Sequence, residues 1–388
     1  MINPKKTCSI GVWDETIPGI TFDEKGISNY YRLMEKLIET YPLGEKGLAT
    51  WKTFVNRISA AGKGKTYDCI IGVSGGTHSS YLLWLAKEYG LRPLAVNLDN
   101  GWNSDISVKN IKKMTEALNI DLVTYVIDYE EIKDLNRCYM KAGLPWVDIP
   151  TDLAIKAVLY KIAAREGVKF ILRGNDFRSE GTQPREWTYG DGRQLKYIHN
   201  KFSKVRLRSF PNYRIQNLLY YSLVKKIKSI YPFYYLDYSK KEAQQFLIDK
   251  FGWEYYGGHH FENIFTRFVI SYWLYEKFGI DKRKITFSAQ IVSGEMSRTE
   301  ALKLLENKPY DENEKGYFLD YVLKKLDFTS EEFHSILSVK NKSYTDYPSD
   351  YRFIDKLIYF SGPIIKKVFL HKPQSLFQAE LRKSEQNN

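Results

Sequence analysis

The segment Ser74–Ser80, with the sequence SGGTHSS, has the residue types that hold a phosphate or a pyrophosphate. Gly75 and Gly76 allow backbone conformations in which several N–H groups point into one concavity. The three serine hydroxyls can donate further hydrogen bonds, and a helix that begins here adds its unpaired amides and its dipole. No Gly-Lys-Ser/Thr follows, which excludes a Walker loop. The segment predicts an anion-binding loop, with a plain tight turn as the alternative.

Strand and helix patterns alternate around this loop. Buried apolar runs predict strands and amphipathic runs predict helices: the strands are Tyr67–Val73, Pro93–Leu98, Leu122–Ile127 and Val168–Leu172, and the helices extend from the loop to Glu88, over Ser107–Leu118 and over Thr151–Glu166. The short links between them predict an α/β fold with a doubly wound parallel sheet. Ligands of such sheets bind beyond the carboxyl ends of the strands. We therefore expect Ser74–Ser80, Asp99–Trp102 and Arg173–Arg178 to lie around one crevice.

The chain divides into three parts by pattern. Residues 1–65 are rich in turns and then carry helical spacing, residues 66–185 hold the α/β block, and residues 186–388 are mostly helical. Trp187–Ser203 has the pattern of turns or a hairpin. Capping-box patterns, Ser297-x-x-Glu300 and Thr329-x-x-Glu332, predict two helix starts. The third part is expected to contact the substrate or a partner.

The composition predicts a globular, cytoplasmic protein that binds anions. The hydrophobic fraction is 43% and the net charge is +12, which suits phosphorylated partners. Three cysteines without metal-ligand spacing argue against a disulfide framework, and no apolar run reaches membrane-spanning length. Phe202–Tyr235 interleaves basic and aromatic residues, a mixture that binds single-stranded nucleic acid or docks a partner or the bilayer surface. Charge alone does not favour a nucleic-acid partner.

The loop resembles a known signature, Ser-Gly-Gly-x-Asp-Ser, of the PP-loop ATP pyrophosphatases, which include GMP synthetase, asparagine synthetase and tRNA-thiolating enzymes. His78 stands where that signature has aspartate. In the superfamily this aspartate helps to hold Mg²⁺ and pyrophosphate, and a neutral imidazole is a poor Mg²⁺ ligand. Either another carboxylate such as Asp99 carries the metal, or activity is weakened or lost.

Four further blocks narrow the resemblance to one branch. They are Leu91–Asn103 (LRPLAVNLDNGWN), Ile149–Asp152 (IPTD), Gly174–Gly181 (GNDFRSEG) and Tyr256–Arg267 (YGGHHFENIFTR), and they look like the N-acetyl sugar amidotransferases of bacterial surface-polysaccharide pathways. The likeness runs over about residues 8 to 310 and is more specific than the loop alone. It implies the same α/β fold with a helical carboxyl-terminal region.

The resemblance also implies a reaction. Family members convert an acetamido group on a nucleotide-linked sugar into an acetamidino group, for O-antigen or a related surface glycan. ATP, with Mg²⁺, adenylates the amide oxygen and releases pyrophosphate, and ammonia then displaces AMP. The ammonia comes from a separate glutaminase subunit of the imidazole glycerol phosphate synthase type. The alternatives are a PP-loop RNA-modifying ligase or thiolase, and a nucleotide-binding protein that His78 leaves without turnover.

The resemblance and the strand ends together nominate site residues. The catalytic set is His78, Asp176, Arg178 and Glu180. The ATP-binding set is Ser74, Gly75, Gly76, Thr77, Ser79, Ser80, Asp99, Asn100, Gly174 and Asn175. The substrate set is Asp152, Arg185, His260, Glu262 and Arg267. Strand-ending or solvated turns are the alternative for the strand-end residues, and a buried structural role is the alternative for His260. The adjacent His259 and His260 cannot share a helix face, which argues against a metal pair.

The amino-terminal part departs from the family. Members often carry paired cysteines on each side of a Pro-x-Ile-x-Phe-Asp-Glu-x-Gly core, which survives here as Pro18–Gly26. The cysteine positions are Cys8, Gly11, Ser28 and Tyr31. One thiol cannot form a tetrahedral zinc site. We expect no structural zinc and a segment held by apolar packing.

Overall fold

A parallel sheet lies at the centre of the protein. The computed structural model describes residues 5–258, 260–360 and 369–371, with only the backbone described at 357–360, and His259 lies outside these ranges. Within them the strands are β1 Cys69–Gly72, β2 Pro93–Asp99, β3 Leu122–Val126, β4 Phe170–Leu172 and β5 Lys228–Ile230. All pair in parallel in the order β3-β2-β1-β4-β5. The predicted doubly wound α/β fold is confirmed, and the strand order reverses beside β1.

Burial explains which runs become central strands. Ile70 and Ile71 of β1 are fully buried, as is Ile171 of the neighbouring β4. Helices cover both faces of a doubly wound sheet, so its central strands are apolar without interruption. β3 lies at the edge, and its burial alternates between exposed and half-buried residues. The short apolar runs therefore place β1 in the middle of the sheet, where its carboxyl end faces the crevice.

Helices surround this sheet and form the carboxyl-terminal region. In the described residues the α-helices are α1 Asn29–Thr40, α2 Gly44–Gly62, α3 Thr77–Glu88, α4 Asp105–Ala117, α5 Tyr129–Lys141, α6 Ile149–Arg165, α7 Phe177–Glu180, α8 Arg185–Thr188, α9 Gly192–Phe202, α10 Ile215–Leu219, α11 Lys240–Phe251, α12 Ile264–Phe268, α13 Leu274–Phe278, α14 Arg283–Val292, α15 Arg298–Leu305, α16 Lys315–Lys325, α17 Ser330–Ser338 and α18 Tyr351–Phe360. The side chains of Ser297 and Thr329 cap α15 and α17 as predicted, and Glu332 closes the capping box of α17. No helix in the described part of the chain is long and apolar enough to cross a membrane.

One prediction about secondary structure is wrong. Trp187–Ser203, predicted as turns or a hairpin, contains the end of α8 and the whole of α9. The Asp191 carboxylate accepts hydrogen bonds from the first amides of α9, and Leu195 and Ile198 bury one side of that helix. The sheet also continues past residue 185, since β5 lies in a region whose pattern is helical.

The amino-terminal segment is held by packing and hydrogen bonds. Cys8 is buried, and its thiol accepts a hydrogen bond from the Ser28 amide at 3.4 Å. Ser288 of α14 accepts from the Val12 amide at 2.8 Å, and Arg298 of α15 donates to the carbonyls of Gly11 and Cys8. These contacts fix the segment against the helical region.

Candidate functional site

The loop Ser74–Ser80 joins β1 to α3 at the point where the strand order reverses. Gly75 has φ +76°, and a Cβ there would lie 2.2 Å from the Ser107 carbonyl oxygen. Both the left-handed backbone and the close approach of α4 therefore require glycine. Gly76 is the N-cap of α3 and supplies no side-chain cap, so the first amides of this helix need partners from outside it. This geometry is that of an anion-binding loop.

The loop serines stabilise the turn as well as lining it. The Ser79 hydroxyl accepts from the Ser74 amide at 3.3 Å and donates to the Gly76 carbonyl at 3.2 Å. Ser80 is buried, and its hydroxyl accepts from the Trp253 indole at 3.2 Å. Of the three, only Ser74 sends its hydroxyl across the loop, where it donates to Glu262 at 3.2 Å. Ser79 and Ser80 thus set the shape of the turn that the amides line.

A segment from far along the chain covers this loop. We call residues 253–258 and 260–263 the cover. The Tyr256 hydroxyl accepts from the Thr77 amide at 3.3 Å, and the Trp253 indole also donates to the Gly75 carbonyl at 3.2 Å. Burial raises the pKa of the Tyr256 phenol, which keeps it protonated. The Thr77 hydroxyl beneath is buried with no hydrogen-bond partner among the described atoms.

Glu262 brings a carboxylate into the loop. Its Oε1 accepts from Ser74 and lies 3.0 Å from the position that a Cβ on Gly76 would occupy. Its Oε2 is buried and has no hydrogen-bond partner among the described atoms. Burial alone would raise the pKa of this carboxyl, but hydrogen bonding to His260 and the charges of His260 and Lys240 lower it on balance. A carboxylate therefore lies where the loop amides would bind an anion.

His78 points away from the loop amides. Its Nε2 lies 3.2 Å from the Ser179 hydroxyl and its Nδ1 3.9 Å from a Glu180 oxygen. Burial, with the charges of Lys240 and His260, lowers the pKa of His78 well below its ordinary value, so the imidazole is neutral at pH 7. Glu180 also lies 3.9 Å from Nε2 of His260. The two histidines therefore flank one carboxylate beside the loop.

The end of β2 carries a buried polar network. Asn100 donates to the Thr151 hydroxyl at 3.0 Å and accepts from Asn263 at 3.2 Å. The network continues to Asp148, whose Oδ2 accepts a hydrogen bond from the Thr266 hydroxyl at 2.6 Å. The other carboxylate oxygen of Asp148, Oδ1, is buried without a partner among the described atoms. Burial and then the neighbouring Asp152 raise the pKa of Asp148. Asp99 itself accepts from the Gly101 amide at 2.8 Å.

The end of β4 lies against the loop. A Cβ on Gly174 would meet Cβ of His78 at 3.1 Å, so glycine allows this close approach. The Asp176 carboxylate caps α7, and burial raises its pKa to about 7. Arg178 donates to the carbonyls of Tyr41 and Tyr234. Because the guanidinium of Arg178 is bonded to these carbonyls and not to the loop, its catalytic role stays a prediction.

A cavity of about 710 Å³ opens beside the loop. We call it the basic cavity, and its polar lining includes Lys156, Arg173, Asn175, Glu180, His260 and Lys282. Partial burial lowers the pKa of Lys282 to about 8. A lowered lysine pKa means that the surroundings do not fully compensate the charge. The cavity is therefore suited to an anionic ligand.

The predicted substrate residues separate into different places. His260 and Arg185 line the basic cavity, although Arg185 is engaged in a two-pronged ion pair with Asp355 at 2.8 and 3.1 Å. Asp152 accepts from the Trp146 indole at 2.8 Å. Arg267 lies between the rings of Phe261 and Phe318 and lines a separate cavity of about 400 Å³. Only His260 and Glu262 of this set contact the loop region.

Several site residues escape sequence reasoning. Tyr256 and Trp253 contact the loop, Thr151 and Asn263 bond Asn100, and Lys282 lines the basic cavity. The block Tyr256–Arg267 signals part of this set, but nothing in its spacing indicates the loop as its partner. Lys282 lies in no motif, since a lone lysine is typically a surface residue.

Three comparisons with known proteins bear on this geometry. No curated protein matches the chain. Among solved structures it is similar to an NH3-dependent NAD synthetase from Campylobacter jejuni (14% identity, TM-score 0.26, 39% of this chain and 58% of that chain). It is also similar to an NMN synthetase from Francisella tularensis (13%, 0.35, 78% and 97%) and to a predicted tRNA methyltransferase subunit from Methanocaldococcus jannaschii (14%, 0.27, 46% and 72%). The chain thus spans well under two thirds of the NAD synthetase.

The family comparison covers the carboxyl-terminal region. Residues 262–358 match the model of the LPS biosynthesis protein WbpG-like, C-terminal domain. The match begins at Glu262, the residue that reaches the loop, and extends into α18. The α/β sheet precedes this domain in the chain. Over residues 262–358 the chain is therefore similar to the C-terminal domain of the WbpG-like LPS biosynthesis proteins.

Proposed function

We propose that this protein is an ATP-dependent amidotransferase of surface-polysaccharide biosynthesis. It converts the acetamido group of a nucleotide-linked sugar into an acetamidino group and forms AMP and pyrophosphate. The observation that carries the proposal is the glycine loop between β1 and α3, which opens beside a basic cavity of about 710 Å³. The WbpG-like domain supports the pathway, O-antigen or a related glycan, and hence a cytoplasmic site of action.

ATP activates the amide in the first step. The acetamido oxygen attacks the α-phosphorus, an O–P bond forms, and the bond from that phosphorus to pyrophosphate breaks. The amides after Gly76 and the Ser74 hydroxyl would hold the departing pyrophosphate, whose charge grows as the bond breaks. Asn100 and Asp99, at the end of β2, would contact the adenosine. Mg²⁺ accompanies the ATP and screens its charge.

Ammonia completes the reaction in the second step. It attacks the adenylated carbon, AMP leaves with the former amide oxygen, and the nitrogen loses a proton. Glu180, which lies 3.9 Å from both His78 and His260, would orient the ammonia or accept that proton. The neutral His78 contacts the Ser179 hydroxyl and adds no charge beside Glu180. Lys156, Arg173 and Lys282 would bind the diphosphate of the sugar nucleotide.

The ammonia would come from a separate glutaminase subunit. All three cysteines are buried, which does not suit a glutaminase nucleophile. Burial raises the pKa of the Cys69 thiol far above its ordinary value and that of Cys138 to about 12. Neither forms a thiolate near neutral pH, so this chain would depend on ammonia made elsewhere.

The proposal is tested by mass spectrometry of complete reactions. The full chain is mixed with Mg-ATP, ammonium chloride and a panel of UDP- and CMP-linked acetamido sugars. Ammonium replaces the glutaminase. The expected result is AMP together with a sugar in which one oxygen has become NH. Formation of ADP instead of AMP contradicts adenylation, and ATP cleavage that no sugar stimulates contradicts the assigned substrate class.

A further inference from the structure

The loop combines one feature that attracts a bare nucleotide with one that repels it. Its amides and the helix start favour an anion, but the Glu262 carboxylate lies over them, hydrogen-bonded to Ser74 at 3.2 Å. The side chain of Glu262 is only 12% exposed, and its Oε2 points into buried space without a partner among the described atoms. A buried carboxylate beside a triphosphate is strongly unfavourable unless a cation lies between them.

The backbone on both sides of Glu262 is fixed to the sheet. The Ser104 amide donates to the Glu262 carbonyl at 2.9 Å, and the Ile264 amide donates to the Trp102 carbonyl at 2.8 Å. Asn263 donates to Asn100 at 3.2 Å. With three bonds to the segment after β2, this backbone cannot swing out as a hinged lid while the fold is intact. The backbone at Glu262 therefore stays beside the loop when a nucleotide binds, which keeps the carboxylate within reach of it.

Oxygen ligands are scarce elsewhere around the loop. Mg²⁺ prefers carboxylate, phosphate and water oxygens, and it takes one or two carboxylates where it binds a nucleotide. His78 offers only imidazole nitrogens and faces Ser179. Asp99 already accepts from the Gly101 amide through Oδ1. The free Oε2 of Glu262 is the oxygen that fits, although no group of three or more candidate metal ligands exists among the described residues.

We propose that Glu262 is a ligand of the divalent cation that enters with ATP, so that the carboxyl-terminal domain completes the ATP site. The proposal rests on the proposed binding of ATP at this loop. The cation would lie between the Glu262 carboxylate and the phosphate oxygens, with water at its other positions. The same contact makes binding of the metal nucleotide depend on the carboxyl-terminal domain, because a ligand of the cation comes from it.

Calorimetric titration of a non-hydrolysable ATP analogue into the full chain tests this proposal. Each titration is done with Mg²⁺ and with EDTA, and the measured quantity is the factor by which Mg²⁺ strengthens binding. For Glu262→Gln we expect tighter metal-free binding, since a like charge is removed, and a Mg²⁺ factor that falls by about tenfold or more. Glu262→Asp keeps the carboxylate and should retain part of the factor.

Two further variants serve as matched comparisons. Glu254→Gln removes a carboxylate of the cover that pairs with Lys113 at the surface, and it should leave the Mg²⁺ factor unchanged. Asp99→Asn tests the other candidate ligand. Manganese supplies an independent readout, because the spectrum of bound Mn²⁺ with the analogue should change in Glu262→Gln and not in Glu254→Gln. Circular dichroism confirms that each variant is folded.

Distinct outcomes would overturn the proposal. An unchanged Mg²⁺ factor in Glu262→Gln removes Glu262 from the metal, and a factor lost only in Asp99→Asn assigns the metal to Asp99. If Glu262→Gln raises the affinity for the analogue by the same factor with and without Mg²⁺, the carboxylate only repels the nucleotide and is not a metal ligand. If the wild-type chain binds no nucleotide in either condition, the proposed function fails first, and this result is distinct from the other three.

Discussion

The two ends of the site have opposite electrostatic character. At the loop, backbone amides are combined with the buried carboxylate of Glu262, which gives a place for a phosphate only together with a cation. In the basic cavity, Lys282 is half-buried and its pKa is lowered to about 8, which gives a place for an anion without a metal cation. On the proposed function, the two ends would hold two anionic ligands, a metal nucleotide at the loop and a second phosphorylated molecule in the cavity.

The largest expected effect is on the loop itself. Gly75→Ala places a Cβ at a positive φ and 2.2 Å from the Ser107 carbonyl oxygen, so both the turn and α4 must shift. We expect a loss of stability about 3 kcal/mol greater than for Gly90→Ala, and no nucleotide binding. Gly90 is the matched control, because its φ is +71° and no atom lies within 4 Å of an added Cβ. Denaturant unfolding and calorimetry measure both effects, and equal stability of the two variants would contradict the strained-loop interpretation.

The second prediction concerns the basic cavity. Lys282→Met keeps the packing on Trp146, 4.1 Å from the amine, but removes the charge. We expect the affinity for the sugar nucleotide to fall about tenfold, while Mg-nucleotide binding at the loop is unchanged. In the wild-type chain this affinity should fall as the pH rises above about 8, where Lys282 loses its proton. Lys112→Met, at an exposed position, is the control. Equal losses at both ends of the site would contradict two independent anion sites.

The third prediction concerns stability and pH. Burial raises the pKa of Asp148 above its ordinary value of 3.8, so the folded protein holds this proton more tightly than the unfolded chain does. The resulting stability is fully present below the unfolded pKa and is lost as the pH rises through the folded one. Asp148→Asn should remove this pH-dependent loss of stability. Relative to wild type, the free energy of unfolding of the variant should rise by on the order of 1–3 kcal/mol between pH 5 and pH 8. Thermal unfolding across that range measures it, and parallel pH profiles would contradict the raised pKa.

Local patterns predicted the sheet well because burial in a doubly wound sheet is continuous along each strand. β2 and β3 differ from the predicted strands by one residue, β1 lies inside its predicted run, and β4 is the carboxyl-terminal part of its predicted run. The helices α8 and α9 were missed because their residues are largely polar and α9 depends on the Asp191 cap. β5 was missed because three residues carry too little pattern to be told from a loop.

Sequence reasoning identified the glycine loop of the site but not the distant residues that contact the loop. The loop geometry follows from the adjacent glycines and the strand before them, so Gly75 and Gly76 were identified from local chemistry. Tyr256 and Glu262 reach the loop across 179 and 188 residues of chain, and no spacing in the sequence indicates that contact. The block that contains them suggested a substrate site, whereas the structure places Glu262 in the loop. Tertiary packing, and not local pattern, decides which residues complete the site.

The path of one oxygen atom tests the central claim most directly. A sugar nucleotide labelled with ¹⁸O in its acetamido group is converted with Mg-ATP and ammonium, and the products are weighed by mass spectrometry. If the amide oxygen attacks the α-phosphorus of ATP, the label must appear in AMP, and the amidine must contain none. Label found in water or in inorganic phosphate, or retained in the sugar while ATP is cleaved, would contradict adenylation of the amide by this protein.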